Sequence, residues 1–346
     1  MVNVGIIGAT GYVGIEITRL LQNHPMTRIT SVVSHSFAGQ KISDIYPNLK
    51  NIIDMECSEL NIDAIAEDAD IFITALPHGV SSEVIPKLIA KGKRIIDHSG
   101  DFRYKSVEVY EKWYNTKHEM PHLLDLAVYG LPELYREQIK NAQLVSNPGC
   151  YPTCSILGIA PLLANKLIET KNIIIDAASG VSGAGRSTEL PLQFCECNEN
   201  FKAYKVATHR HTSEIEQEYS LLAGEEILVS FTPHLVPMKR GMLCTIYANL
   251  KDTKTTGELV DLYKEHYKNE FFVRIMDAGK IPETKYSTGS NFIDIGLVVD
   301  PRLNRVVVLS SLDNLGKGAA AQAIQDLNLM CGFPEDTGLK SPGMYL

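Results

Sequence analysis

The chain opens with an apolar run, Val2-Asn3-Val4-Gly5-Ile6-Ile7, that breaks directly into Gly8-Ala9-Thr10-Gly11-Tyr12-Val13-Gly14. It resumes as an amphipathic stretch in which Val13, Ile17, Leu20 and Leu21 recur at helical spacing. Few folds accommodate a strand, a glycine-rich turn and a helix in such close succession. Glycine permits the tight turn and lets the backbone approach a ligand, and the free N–H groups and dipole of the following helix suit a pyrophosphate. The order predicts the first unit of a parallel sheet, with Gly8, Thr10, Gly11, Tyr12, Val13 and Gly14 holding a dinucleotide.

The same rhythm continues. Apolar runs at 2–7, 28–33, 71–75, 94–96 and 144–145 alternate with amphipathic stretches such as 13–22 and 80–91, the pattern of β-α-β units with both sheet faces covered. From about Asn172 the texture changes: runs at 173–177, 226–231, 243–250, 271–275, 292–299 and 305–309 include several that alternate polar with apolar residues, as a one-faced, mainly antiparallel sheet does. Residues 316–332 read as one helix, with Asp313 or Asn314 as its cap. The fold class expected is α/β, a Rossmann-type parallel-sheet domain over 1–148, completed by the C-terminal segment 314–346, plus an α+β domain over 149–313. A length of 346 residues fits two domains.

Composition narrows the partners. The 33 Lys and Arg against 41 Asp and Glu give a net charge of −8, which argues against nucleic acid and anionic membranes, both of which call for clustered cations. A small molecule is the expected partner. The longest nearly apolar stretch, 156–164, is interrupted by Gly158 and Pro161 and is far shorter than the roughly 20 residues of a spanning helix. The N-terminus lacks the basic start and cleavage site of a signal peptide, so the cytoplasm is the expected compartment. Seven cysteines with no C-x-x-C pair suggest neither a disulfide framework nor a zinc ribbon, and no metal is expected.

No Asp or Glu follows the second apolar run, where a NAD-preferring fold places one on the ribose. Ser34, Ser36 and Lys41 stand there instead and favour NADP, with its 2′-phosphate. Ser146-Asn147-Pro148-Gly149-Cys150-Tyr151-Pro152-Thr153 ends a strand and begins a helix. A cysteine at a helix N-terminus has its thiolate stabilised by the dipole, and the unpaired N–H groups form an oxyanion hole. Cys150 therefore reads as a nucleophile and Cys154, one turn on, as a buried hydrophobe. Its proton partner is sought in His209-Arg210-His211. Ser213 and Glu216 fit a capping box there, which puts both histidines in the loop before a helix. His211 is preferred over His209 because Glu214, which would orient the imidazole, is closer to it. Leu76-Pro77-His78-Gly79 and the segment from Asp97 to Arg103 follow apolar strands, at the edge where doubly wound sheets bind ligands, which makes Pro77 and His78 candidate cofactor contacts. The loop Ser179-Gly180-Val181-Ser182-Gly183-Ala184-Gly185-Arg186 has the glycines to wrap a phosphate or a nicotinamide, and Arg103 and Arg186 offer the fork geometry that suits an anion.

A dinucleotide loop, a cysteine opening the second domain and a later histidine resemble the glyceraldehyde-3-phosphate and aspartate-semialdehyde dehydrogenases. The strings Tyr129-Gly130-Leu131-Pro132-Glu133, Pro148-Gly149-Cys150-Tyr151-Pro152-Thr153, Pro233-His234-Leu235-Val236-Pro237-Met238 and Asn314-Leu315-Gly316-Lys317-Gly318 are similar to those of the N-acetyl-gamma-glutamyl-phosphate reductases of arginine biosynthesis, across nearly the whole chain. Departures are small: His98 where an apolar residue is common, Cys154 where Gly or Ala is usual, and Ala321 where Gly is usual. The resemblance implies an NADPH-dependent reductase in which Cys150 attacks an acyl phosphate, forms a thioester and releases phosphate. It also implies that Arg103, Asn147, Ser179 and Arg186 meet the substrate, that Asn314 joins Ser182 and Gly183 at the cofactor, and that the second domain makes a homodimer or homotetramer. Two other readings stay open: a sister reductase for the aminoadipate analogue of lysine biosynthesis, and a non-catalytic NADP-binding sensor.

Overall fold

In the computed structural model, which describes residues 1–346, the opening run becomes β1 (Val2–Ile7). It is followed by β2 (Thr27–Val33), β3 (Ile71–Thr74), β4 (Arg94–Asp97), β5 (Ala127–Tyr129) and β6 (Leu144–Ser146). These strands form one sheet in the order β2-β1-β3-β4-β6-β5, every pair parallel. All four residues of β3 are buried, as expected for a strand covered on both faces. Phe72, Ile85, Leu88 and Ile95 belong to the core between this sheet and the helix Ser81–Ala90. Ile7 pairs with Thr74, Thr74 with Asp97 and Asp97 with Ser146. The loops that follow β1, β3, β4 and β6 therefore leave the sheet at a common edge.

The later strands are β7 (Ile173–Gly180), β8 (Lys202–Ala203), β9 (Val229–Val236), β10 (Met242–Asn249), β11 (Val273–Ile275), β12 (Ile293–Asp300) and β13 (Arg305–Leu312). They make a second sheet in the order β11-β12-β13-β10-β7-β9-β8. Only β11–β12 and β7–β9 are parallel pairs, so the sheet is mainly antiparallel, as the alternating runs predicted. Strict alternation of buried and half-buried residues along β10 marks its two faces. The helix Cys150–Ala164 packs with this sheet and with the helices His211–Ala223 and Thr256–His266. Nearly all its residues are buried, the pattern of a helix apolar all round. Pro161 within it has no N–H for the carbonyl of Leu157 one turn earlier. The Tyr267 hydroxyl donates to that carbonyl at 2.6 Å; left unpaired, it would cost about 1–3 kcal/mol.

Several elements differ from the sequence expectation. The short strands β5 and β8 carry too little pattern to be read in advance. The run expected at 226–231 is a strand from Val229 to Val236 that passes through Pro233; proline is tolerated because β8 pairs only with His234 and Leu235 on that side. The helix expected over 316–332 starts as a π turn, Gly316–Ala320, before the α-helix Ala321–Met330. The wide turn is closed by the Gly318 N–H on the Asp313 carbonyl, five residues back. Asp313 is the residue that caps it, accepting from the N–H groups of Leu315 and Gly316. The chain groups into two compact units, Met1–Pro148 with Ala319–Lys340 and Gly149–Gly318 with Ser341–Leu346. Of the C-terminal segment, residues 314–318 and 341–346 thus lie in the second unit. No helix is long and apolar enough to cross a membrane.

Candidate active site

Cys150 is the first residue of its helix, half-buried, behind an N-cap Gly149 that offers no side-chain cap. Cys150 thus sits at the positive end of the helix dipole, the placement that favours a thiolate and an adjacent oxyanion. Two elements hold the turn. The Gly149 N–H donates to Glu214 Oε1 at 2.9 Å, and the Thr153 hydroxyl donates back to the Gly149 carbonyl at 3.1 Å. A Cβ on Gly149 would fall 2.4 Å from His211 Nε2 and 2.7 Å from Cε1. The absence of a side chain at this position is what admits the imidazole beside the Cys150 turn. Cys154 is fully buried and rests its sulfur 3.2 Å from the Ser310 carbonyl, a packing position.

The histidines stand differently from expectation. The helix begins at His211, not after Ser213, and no capping box forms. The Ser213 hydroxyl donates to the Arg210 carbonyl, and Glu216 accepts from the Val229 N–H across the loop. His211 is therefore held on the first turn of a helix, which orients it more firmly than a loop would. Glu214, expected to orient an imidazole, has one carboxylate oxygen on the backbone N–H of Gly149. His209 Nδ1 accepts from the His211 N–H at 3.1 Å, which leaves the ring proton on Nε2. Nε2 lies 3.5 Å from the Tyr204 hydroxyl, which itself lies 3.2 Å from the hydroxyl of Tyr151. Burial, reinforced by Lys205 and Arg210, holds His209 down at about 3. His209 is a neutral prop beside His211, their rings 4.7 Å apart. Tyr204, a lone tyrosine in an irregular stretch, gave no signal in the sequence.

Elsewhere in the second unit, Asn314 joins two loops: its Oδ1 accepts from the Gly241 N–H and its Nδ2 donates to Ser182 Oγ, both at 2.9 Å. Ser179 is buried with its hydroxyl on the Gly180 carbonyl, and Gly183 lies over it. Arg186 is exposed on the loop beyond.

In the first unit the glycine turn has the shape a pyrophosphate needs. Gly8 adopts φ +85°, and a Cβ there would lie 2.4 Å from the Ala75 carbonyl oxygen; one on Gly14 would lie 2.3 Å from the Gly8 oxygen. Gly11 caps the helix Tyr12–Gln22 without a side-chain bond, so its leading N–H groups suit an anion. Val13 follows Tyr12 in the first turn of that helix, and Tyr12 itself is exposed. Thr10 and Ser34 share a hydrogen bond of 2.7 Å and are both buried. Ser36 is exposed, whereas Lys41 pairs with Asp54 at 2.9 Å in an exposed ion pair, which the sequence did not foreshadow. Pro77 and His78 are exposed. Behind them His78 Nδ1 accepts from the Gly100 N–H, and the Asp101 carboxylate accepts from the Gly79 N–H and the Ser82 hydroxyl. Arg103 is buried and donates to the His98 carbonyl at 2.7 Å. Asn147 is wholly buried, its amide nitrogen 3.4 Å from the Pro148 and Ala319 carbonyls. No group of three or more His, Cys, Asp or Glu is placed to hold a metal ion.

An uncapped cysteine helix beside an imidazole, together with a parallel-sheet unit carrying a glycine turn, defines an oxidoreductase of the semialdehyde dehydrogenase class. Residues 3–142 match the family model for the semialdehyde dehydrogenase NAD binding domain and residues 150–314 that for its dimerisation domain. The fold is that of aspartate semialdehyde dehydrogenase II from Vibrio cholerae, with a TM-score of 0.75 at 17% identity over 96% of this chain and 99% of that one. The N-acetyl-gamma-glutamyl-phosphate reductase of Acetivibrio thermocellus is 76% identical over 346 residues, all of both chains, and that of Desulforamulus reducens 53% identical over 345, again covering both. The chain belongs to the N-acetyl-gamma-glutamyl-phosphate reductase family.

Proposed function

We propose that this protein uses NADPH to reduce N-acetyl-L-glutamyl 5-phosphate to N-acetyl-L-glutamate 5-semialdehyde, releasing phosphate, with Cys150 as nucleophile and His211 as acid and base. The observation that carries the reading is Cys150 at the start of an uncapped, buried helix with His211 Nε2 against Gly149. His211 takes the thiol proton as the sulfur attacks the acyl carbonyl, the leading N–H groups of the helix hold the oxyanion, and the C–O bond to phosphate breaks to leave a thioester. NADPH, when bound, would supply the hydride that takes the thioester carbonyl to the thiohemiacetal oxyanion. The C–S bond then breaks, the aldehyde leaves, and His211 returns the proton to sulfur. Glu214 keeps Gly149, and with it the attacking turn, in place.

We assign cofactor binding to 1–148 with its C-terminal complement, and catalysis and self-association to 149–313. The glycine turn supports the first assignment. The missing acid after β2, with Ser36 exposed there, supports NADP. Lys41 reaches a 2′-phosphate by exchanging Asp54, which an exposed pair permits because such pairs hold weakly. Arg103 and Arg186 take the phosphate or carboxylate of the substrate, and Asn147 and Ser179 are further substrate contacts. A homodimer or homotetramer accords with the name of the matched dimerisation domain, and seven free thiols accord with a cytoplasmic site.

The test runs the reaction backwards: phosphate-dependent NADPH formation from the N-acetylated glutamate semialdehyde, with the aminoadipate analogue alongside. Turnover with the glutamate compound and little with the longer one is expected. The reverse preference identifies the lysine-type enzyme, and no turnover with either identifies a sensor.

A further inference from the structure

The second unit contains a buried carboxylate that the reaction does not use. Asp313 is wholly buried and ends β13. Arg240 Nε donates to both its oxygens, at 2.8 and 3.1 Å. The N–H groups of Leu315 and Gly316 donate to Oδ1 at 2.8 and 3.1 Å, and that of Gly289 to Oδ2 at 2.5 Å. Two of these segments, those of Arg240 and of Leu315 and Gly316, end at the proposed reaction groups. Arg240 precedes Gly241, whose N–H holds Asn314 Oδ1, while Asn314 Nδ2 holds Ser182. The same 238–241 turn seats the 180–182 loop through Gly180 N–H on the Gly241 carbonyl, Val181 N–H on the Met238 carbonyl and Ser182 N–H on the Lys239 carbonyl. On the other side, the Asp313 carbonyl closes the π turn at Gly318. A Cβ on Gly318 would come within 2.9 Å of Cys150 Cβ.

We propose that Asp313, with Arg240, is a positioning residue that sets the Asn314–Ser182 pair and the Gly318 turn in register with Cys150. Asp313 touches neither the sulfur nor the proposed cofactor contacts through its side chain. It joins the segments that do. A buried ion pair contributes little net stability when compared with an apolar replacement, so the pair is better understood through the geometry it imposes: one carboxylate, fully coordinated, permits one arrangement of three segments. Hydride transfer is sensitive to that arrangement, since a displacement of about 1 Å at a reacting centre costs on the order of 10²-fold in rate. The inference rests on Cys150 as nucleophile and Asn314 as a cofactor contact.

Its test is a double-mutant cycle of Asp313→Asn and Asn314→Ala, read by steady-state kinetics and by the primary deuterium isotope effect with 4-deuterated NADPH. Asp313→Asn is expected to lower kcat roughly 10- to 10²-fold, to raise the KM for NADPH, and to leave the KM for the acyl phosphate within about twofold. The isotope effect on kcat should rise, because a misaligned hydride step becomes rate-limiting. The double variant should lose less than the product of the two single losses, because Asp313 acts in part through Asn314. Rate losses that multiply, or an isotope effect equal to that of the unmodified enzyme, overturn the proposal. Should Asp313→Asn fail to fold, Arg240→Met takes its place in the same cycle, with the same outcomes expected and the same ones decisive. Cys150→Ser, assayed in parallel, separates the two failures: an inactive Cys150→Ser with an unperturbed Asp313→Asn removes only the positioning role, whereas an active Cys150→Ser removes the mechanism beneath it.

Discussion

Two helix starts in this molecule share a local design and differ in what surrounds it. Gly11 and Gly149 are both extended N-caps, at φ −78°, ψ 167° and φ −69°, ψ 152°, and neither provides a side-chain cap. Each leaves the leading N–H groups of its helix for something negative. Around Gly11 the nearest atom to an added Cβ is the backbone oxygen of Gly8, at 3.6 Å, whereas an added Cβ on Gly149 meets the His211 ring at 2.4 Å. The first helix start offers fixed partial charge and no imidazole against its N-cap glycine, which suits binding a phosphate group unchanged. The second adds a thiol on the helix and an imidazole beside it. A helix N-terminus by itself sets only the sign of the partner; the side chains brought to it decide whether it holds a group or transforms one.

Removing the thiol should erase that difference. Cys150→Ser is expected to lose about 10³-fold or more in turnover while NADPH titration still shows binding, because serine is a poor nucleophile here and its ester a poor hydride acceptor. Cys154→Ala, whose sulfur only packs on Ser310, should stay within several-fold of the unmodified enzyme. Near-normal turnover by Cys150→Ser would refute the contrast outright, and an inactive Cys154→Ala would move the nucleophile one turn along the helix.

The proton carrier comes next. His211→Asn should cost about 10²- to 10⁴-fold in rate, and His209→Asn less, since His209 is a neutral prop. Steady-state assays showing the opposite order would transfer the acid-base role to His209.

The neutral state of His209 has a pH signature, and His98 in the first unit shares it. Burial holds His98 at about 4 and His209 at about 3, against 6.5 for the free side chain. The unfolded chain therefore takes up protons that the folded one refuses. Stability is full above about pH 6.5, falls as pH drops through the window down to those values, and flattens below them. Between pH 6.5 and 5 each group contributes a loss of about 2 kcal/mol. Urea denaturation at pH 7 and pH 5 measures it, and His209→Gln should recover roughly half the loss. Equal midpoints at the two pH values would show that these rings carry their protons in the fold.

The smallest expected effect lies at the binding end. NADPH should exceed NADH in kcat/KM by about tenfold or more. Ser36→Asp should narrow or reverse that ratio by repelling the 2′-phosphate, with Lys41→Ala acting in the same direction more weakly because Lys41 must first leave Asp54. An unchanged ratio in Ser36→Asp would mean that this loop does not read the phosphate.

The two sites were not equally legible. Gly8 and Gly14 mark the glycine turn in the sequence because a positive φ at Gly8 and the approach of its oxygen to Gly14 each demand glycine. Cys150 was readable for a related reason, since a strand end, a proline and a glycine mark a helix start. The partners of Cys150 were readable only as types. His211 was placed in a loop and proves to begin a helix, and the Ser213–Glu216 capping box gave way to bonds with Arg210 and Val229. Lys41 looked available and is paired with Asp54. Asp313 or Asn314 was read as the helix cap and Asp313 is the one, but its bonds to Arg240 and Gly289 join segments that no local pattern connects.

The alternating apolar runs, the glycine turn and the cysteine at a helix start were determined by the amino-acid order itself, because strand period, backbone freedom and helix-end polarity act over a few neighbouring residues. The tautomer of His209, the bond from Gly149 to Glu214 and the clasp around Asp313 were decided only by tertiary structure. Each depends on which side chain arrives from far along the chain to satisfy a buried polar group, and many sequences with the same local pattern would satisfy it differently.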